Sequence, residues 1–195
     1  MDRNAISGAL WPDASEEHAH ASLRSALSRL NETTRTVIRV TSQEVQLAAG
    51  VVVDLRDARL LAHRLMNPGF SIEKDLNDQA IAVLSIDLLP DWYDDWAVAE
   101  SEEWRQLRLH ALDALAERLT AARQFGDAIS AALAAVRAEP LRETAHAVLI
   151  RVYLEEGNRA EALAAYSNYR EMLRSELGLE PTSHIHDLIR DIEQP

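Results

Sequence analysis

The N-terminal third of the chain changes from the hydrophobic spacing of helices to that of strands. Apolar residues three or four positions apart predict a short helix over 2–10 and a longer helix over 16–30, with a proline-containing break at 11–13. Strand-like positions follow, and Ala49-Gly50 is predicted to form a turn. These positions are Val37, Ile38, Val40, Val45, Leu47 and 51–53. Two helices, a short break and a β-hairpin form the order of a winged helix-turn-helix.

The rest of the chain has helical spacing almost throughout. A helix is predicted over 55–66 and ends just before Pro68. A connector over 67–95 follows and carries one short helix around 77–84. Five further helices are predicted over 95–122, 125–138, 141–156, 159–177 and 182–193.

The C-terminal half contains an internal repeat. QFGDAISAAL at 124–133 aligns with NRAEALAAYS at 158–167 at an offset of 34 residues, which also pairs Leu115 with Leu149. This period of helix–turn–helix units is typical of tetratricopeptide (TPR) repeats. We therefore predict a helical solenoid with a continuous core and a groove. The groove is expected to include Arg108, His110, Arg151, Tyr153, Asn158 and Tyr166.

The net charge of -12 is unevenly distributed along the sequence. Residues 1–66 hold eight basic and eight acidic groups, so the whole acidic excess lies in 67–195. An acidic surface disfavours nucleic-acid binding, because the phosphate backbone is itself negative. The objection to a nucleic-acid partner therefore applies to the helical part alone.

The composition excludes several kinds of site. The 195-residue chain has no cysteine, which removes disulfides, thiolate zinc sites and cysteine nucleophiles. No apolar run approaches the roughly 20 residues that span a bilayer. The first residues also lack the pattern of a signal peptide. We therefore expect a cytoplasmic protein.

Candidate catalytic and metal-binding groups lack a suitable arrangement. His18 and His20, like His184 and His186, are two positions apart, which turns them to different sides of a helix. Three aspartates lie among three aromatic residues over 91–96, and packing with helix capping accounts for them better than a carbohydrate site does. No phosphate-binding loop or nucleophile motif occurs. We expect no enzymatic activity, no bound metal and no cofactor.

Several segments together resemble the bacterial SARP-type transcriptional activators. They are GALWPDASEEHAHASLRSALSRL (8–30), LLPDWYDDW (88–96) and EPLRETAHAVLIRVYLEEGNRAEALAAYSNYREMLRSELGLEP (139–181). This family joins an OmpR-like winged-helix DNA-binding domain to a TPR-like bacterial transcriptional activation domain. The resemblance implies a mainly α-helical fold with a partial winged helix-turn-helix, a β-hairpin wing and a TPR-like domain. The implied domains are a partial winged helix over 1–55, a linker helix and connector over 56–95 and the activation domain over 96–195.

The chain differs from the family at its N-terminus, because its first residues already match the second helix of the winged helix. Either the start codon is misassigned or the chain is a truncated relative whose first apolar helix faces lack partners. Two functions therefore stay open. The first is an activator that binds double-stranded promoter DNA, recruits RNA polymerase and can form a homodimer. The second is a TPR-like protein-interaction module with a vestigial winged helix that no longer binds DNA.

The resemblance makes helix 16–30 the candidate recognition helix. Its polar face presents His20, Arg24, Ser25, Ser28 and Arg29. Arginines there can reach guanine edges or phosphates, and serines can reach phosphate oxygens. Arg35 and Arg39, before and within the first wing strand, are further phosphate-binding candidates. The alternative is the ordinary solvated face of an amphipathic helix.

Overall fold

The computed structural model describes residues 1–67, 69 and 73–193. The chain divides into two compact units, Met1–Val53 and Asp54–Pro195. The first unit combines helices with a small sheet, and the described secondary structure of the second unit is helical. The predicted fold class, mainly α with a β-hairpin, is confirmed.

Three helices form most of the first unit. They are α1 (Arg3–Leu10), α2 (Glu16–Ser28) and α3 (Glu32–Val37). Each begins after a short polar residue whose side chain accepts a hydrogen bond from a backbone N–H of the first turn, namely Asp2, Ser15 or Asn31. The helices predicted over 2–10 and 16–30 are therefore present, and α2 ends two residues earlier than expected.

The sheet of the first unit is a β-hairpin of β1 (Ile38–Val40) and β2 (Val45–Leu47). The strands are antiparallel, and Val40 pairs with Val45 next to the turn. Met1 extends the sheet, because its amino group donates to the carbonyl oxygen of Val45 and its carbonyl oxygen accepts from the Val45 N–H, both at 3.1 Å. The N-terminal residues therefore lie along the free edge of β2.

Two predictions about the strands are wrong. Val37 is the last residue of α3, because the Asn31 side chain caps a helical turn ahead of it. Residues 51–53 lie outside any strand. The strand nearest to them in sequence, β2, already has β1 on one edge and the N-terminal residues on the other. Ala49-Gly50 is a turn as predicted, with Gly50 at a φ of +88°.

The described part of the second unit holds the helices that the sequence predicts. They are α4 (Asp54–Met66), α5 (Asp78–Leu84), α6 (Asp95–Ala121), α7 (Phe125–Ala138), α8 (Glu143–Glu156), α9 (Arg159–Leu177) and α10 (Ser183–Glu193), and a 3-10 turn (Glu73–Asp75) that the sequence does not predict precedes α5. All predicted helix boundaries fall within two residues of these. Pro68, at the predicted end of α4, lies outside the described residues. None of the described helices has the length and apolar character to span a membrane.

The repeat is visible in the core of the second unit. Helices α6 to α9 each pack against the next, and α6 also packs against α8. Leu115 of α6 and Leu149 of α8 occupy equivalent repeat positions and are both buried. Ala128 and Ala131 of α7 are fully buried in the same apolar cluster as these leucines. Their small side chains let the neighbouring helices approach closely. A second apolar cluster joins α8, α9 and α10.

The segment predicted as a connector is anchored within the second unit. Helices α4 and α5 pack against α6. Arg64 of α4 holds Asp75 with Nε and Oδ2 2.8 Å apart, and this hydrogen bond lowers the pKa of the Asp75 carboxyl. The indole N–H of Trp104 donates to the carbonyl oxygen of Ile86 at 2.9 Å. The described residues of the predicted connector over 73–95 therefore contribute to the fold of the helical unit.

Gly157 is expected to matter for stability because it ends α8 in the left-handed region, at a φ of +90°. Gly157→Ala should destabilise the second unit by about 1 kcal/mol, since a Cβ there meets no atom but strains the backbone. The matched control is Gly126→Ala within α7, where an added Cβ meets no other atom. This substitution should stabilise the second unit by roughly 0.5–1 kcal/mol. Urea unfolding followed by circular dichroism measures both, and equal effects would contradict the account.

Candidate nucleic-acid interface

The polar face of α2 is accessible along most of its length. Ala19 and Leu23 turn inward and are 3 % exposed, whereas Arg24 lies on the outer face and is exposed. His20 is half-buried, and its Nε2 lies 3.8 Å from a carboxylate oxygen of Glu16 one turn earlier. The remaining predicted residues of the helix, Ser25, Ser28 and Arg29, are exposed.

Internal hydrogen bonds orient several of these side chains. The hydroxyl of Ser28 donates to the carbonyl oxygen of Ser25 at 2.9 Å, and Nε of Arg29 donates to the same oxygen at 3.2 Å. Arg35 donates to the carbonyl oxygen of Ser28 at 2.8 Å. The guanidinium of Arg35 is therefore attached to the C-terminal end of α2, where the helix dipole favours a positive charge.

The hairpin contributes a second set of exposed polar groups. Arg39 lies in β1 opposite Gln46, and both residues are exposed. The hydroxyl oxygen of Thr41 accepts from the backbone N–H groups of Gln43 and Glu44 at 3.3 and 3.0 Å, so it stabilises the turn between the strands. Arg39 is therefore a surface cation beside a hydrogen-bonded turn.

An open pocket of about 420 Å³ joins α1, α2, α3 and β1. Three of its lining residues are arginines, namely Arg3, Arg24 and Arg35. The rest of the lining is Leu27, Ser28, Leu30, Ile38 and Val40. None of the lining residues is acidic, and none of the three arginines takes part in the ion pairs of the described residues.

Sequence reasoning identified Arg24 and Arg35 of this pocket but missed Arg3. Arg3 begins α1, which has no recognition-helix pattern around it. Its NH1 donates to the carbonyl oxygen of Thr41 at 3.2 Å, at the turn of the hairpin. The contact depends on the N-terminal residues lying along β2, which no local sequence pattern indicates.

Comparisons with known proteins place the chain in a family. The model of the bacterial transcriptional activator domain matches residues 71–193, which is more than half of the sequence. The chain belongs to the bacterial transcriptional activator domain family. The resemblance to SARP-type activators is confirmed, and the chain is of a transcription-regulator type.

Two curated relatives of this activator-domain protein carry the name regulatory protein AfsR. The Streptomyces coelicolor protein is 26 % identical over 193 residues, which is 95 % of this chain and 19 % of the relative. The Streptomyces griseus protein is 33 % identical over 103 residues, which is 51 % of this chain and 10 % of the relative. The chain therefore spans about a fifth or less of the length of these relatives.

A solved structure shares the fold of the activator-domain protein. Mycobacterium tuberculosis EmbR, determined in complex with a low-affinity phosphopeptide, aligns over all of this chain and 55 % of its own. The TM-score is 0.61 at 21 % sequence identity.

The family match begins at residue 71, earlier than the predicted start of the activation domain at 96. It therefore takes in most of the predicted connector.

The aromatic segment before α6 of the activator-domain protein is only partly packed. Trp92 and Trp96 meet edge to face with ring centroids 5.6 Å apart. Trp92 is 49 % exposed and Tyr93 is 84 % exposed, so the expected anchoring role does not extend to Tyr93. Asp94 occupies the N-cap of α6 as predicted, although its side chain makes no capping hydrogen bond.

The residues predicted to line a groove do not share one open surface. Arg108 is 3 % exposed and forms an ion pair with Asp87. Tyr166 is buried, and its hydroxyl lies 3.2 Å from Nδ1 of His186. Asn158 caps α9. These three residues therefore have structural roles within the helical unit.

An ion pair between α6 and the start of α8 is largely shielded from water. NH2 of Arg142 lies 3.0 Å from Oδ2 of Asp113, and the two side chains are 15 % and 14 % exposed. The same nitrogen is 3.1 Å from Nδ1 of His110. Desolvation raises the pKa of the Asp113 carboxyl, and the Arg142 charge opposes that rise.

Proposed function

We propose that the chain is a DNA-binding transcriptional regulator of the activator type that contacts double-stranded DNA through Met1–Val53. The observation that carries the proposal is the pocket that Arg3, Arg24 and Arg35 line and that has no acidic residue in its lining. Such a concentration of arginines is the electrostatic footprint of a phosphate-binding surface. It lies within residues 1–66, where the numbers of basic and acidic residues are equal.

In this proposal α2 enters the major groove and the hairpin lies beside the backbone. Arg24 and Arg29 reach guanine edges or phosphates, with His20 and Ser25 beside them on the same helix. Arg35 and Arg39 bind phosphates. Ser28 takes part as an acceptor, since its hydroxyl already donates to a carbonyl oxygen within α2.

The second unit would connect the bound DNA with the transcription machinery. Its family supports a role in activation, and we propose that it contacts RNA polymerase and can pair with a second copy of the chain. A shared attachment to DNA and polymerase raises the effective concentration of polymerase at the promoter. The protein would act in the cytoplasm.

A protein-interaction module without DNA binding is the rival function. Within Met1–Val53 the buried residues are Ser7, Ala19 and Leu23. A core of this size gives Met1–Val53 little stability. This favours the rival function, in which the winged helix is vestigial and no longer binds DNA. The two functions differ in whether the purified chain binds duplex DNA.

The proposal predicts that Arg24→Ala weakens binding to a fluorescently labelled duplex by about 1–3 kcal/mol, or roughly 5- to 150-fold. The matched control is Arg137→Ala, an exposed arginine of α7 in the second unit, which should leave the affinity unchanged. Fluorescence anisotropy at low ionic strength measures both variants, and circular dichroism verifies that they fold. A wild-type chain that stays unbound at low ionic strength argues for the rival function. If the wild type binds and Arg24→Ala leaves its affinity unchanged, the proposed contact through α2 is wrong.

A further inference from the structure

We infer that the pocket between α1, α2, α3 and β1 binds a single phosphodiester of the DNA backbone, held jointly by Arg3, Arg24 and Arg35. The inference rests on the proposed DNA binding and adds two statements to it. Arg3 becomes part of the interface although it lies outside the recognition helix and the hairpin. The three arginines also share one phosphate instead of contacting three.

The three arginines come from different elements but line the same pocket. Arg3 starts α1, Arg24 lies in the middle of α2 and Arg35 lies in α3. Arg24 is exposed, so that its charge is accessible from solvent. Three like charges around one open space repel one another, and a bound anion relieves that repulsion. The charge of the pocket therefore favours an anionic ligand.

Two of the arginines are held in place before any ligand arrives. Arg3 donates through NH1 to the carbonyl oxygen of Thr41, and its backbone N–H donates to the carbonyl oxygen of Gln43 at 3.0 Å. Arg35 donates through NH2 to the carbonyl oxygen of Ser28. Each guanidinium keeps further N–H donors for a ligand. Such anchoring lowers the side-chain entropy lost on binding.

The apolar part of the lining identifies the chemical class of the anion. Leu27, Leu30, Ile38 and Val40 border the same space as the arginines. A free inorganic phosphate would contact only the guanidinium groups and leave these side chains without a partner. A phosphodiester carries one negative charge between two sugars, whose carbon atoms can lie against the apolar side chains. The lining therefore matches a backbone phosphate and its adjoining deoxyribose.

The number of phosphates can be read from the salt dependence of DNA binding. The logarithm of the association constant falls with the logarithm of salt concentration, with a slope of about 0.9 per neutralised phosphate. This dependence is independent of sequence, so a short mixed-sequence duplex serves as the probe. The variants are Arg3→Ala, the triple Arg3→Ala/Arg24→Ala/Arg35→Ala and the charge-matched control Arg56→Ala/Arg137→Ala/Arg159→Ala, whose arginines are exposed on the second unit.

A shared phosphate predicts a distinctive combination of results. Arg3→Ala should lower the affinity several-fold while the slope stays nearly constant, because two arginines still neutralise the phosphate. The triple variant should reduce the slope by about 0.9, and the control triple should leave it unchanged. Thermal melts establish that the variants fold. If the triple variant does not fold, the single variant still tests the inference through its unchanged slope and lower affinity.

Other outcomes separate this inference from the proposed function. A triple-variant slope that falls by about three times 0.9 means that the arginines contact separate phosphates. An unchanged affinity of Arg3→Ala means that Arg3 does not contact DNA. Either result overturns the shared phosphate while the wild-type chain still binds DNA. A wild-type chain that stays unbound at low salt overturns both.

Discussion

Leu115→Ala should destabilise the helical unit by about 3–5 kcal/mol, an effect as large as any that we expect from a single substitution. Leu115 is fully buried on α6, within the cluster that also includes α7 and α8. Removing its isobutyl group loses the free energy of burial and leaves a cavity that the tightly packed alanines of α7 cannot fill. Urea unfolding followed by the helical circular dichroism signal gives the change in free energy.

The control for this substitution is Leu60→Ala on α4, where the side chain is 59 % exposed. An exposed leucine loses little contact when it is shortened, and we expect a change within about 0.5 kcal/mol. A loss below about 1 kcal/mol for Leu115→Ala would show that the repeat core is not packed around α6 as described.

Arg142→Met should cost about 3–5 kcal/mol, because it leaves the Asp113 carboxylate buried without its partner. The control is Arg151→Met. Arg151 forms an ion pair with Glu117 at 3.0 Å, but the two side chains are 45 % and 54 % exposed. An exposed pair of this kind contributes about 0–1 kcal/mol. The double variant Asp113→Leu/Arg142→Met should recover most of the loss, since it removes both buried charges.

The destabilisation by Arg142→Met should shrink as the pH falls. Burial raises the pKa of Asp113 in the folded protein, and removing the opposing Arg142 charge raises it further. The folded state then binds a proton more readily than the unfolded state between the raised pKa and the ordinary value near 4. Stability of the variant therefore rises relative to wild type as the pH falls through this range. A loss that is constant with pH would contradict this account.

The helical unit could be predicted from the sequence because the features that determine it depend on residues close together in the sequence. Helical spacing, turn glycines and the 34-residue offset each depend on nearby residues, and all of them favour the same solenoid. Leu115 and Leu149 are buried as the repeat requires. The groove was less predictable. Arg108 turns inward because its NH1 donates to the carbonyl oxygen of Leu84 in α5, and this contact is not visible in the spacing of α6.

The N-terminal unit shows where local patterns become insufficient. The polar face of α2 follows from the spacing of Arg24 and Ser28, and the structure exposes both residues. The participation of Arg3 in the same pocket follows from the pairing of Met1 with β2, which is a contact between distant parts of the sequence. The sequence predicts a strand at Val37 because β-branched residues favour strands, whereas α3, which Asn31 caps, extends to Val37.

DNA binding through Met1–Val53 is the property that we propose for this member of the activator-domain family. The most direct measurement is the affinity of the wild-type chain for a labelled duplex across a range of salt concentrations. We expect binding at low salt that weakens steeply as salt is added, because arginines displace the counterions of the phosphates. A chain that stays unbound at low salt, or whose binding is insensitive to salt, would contradict it.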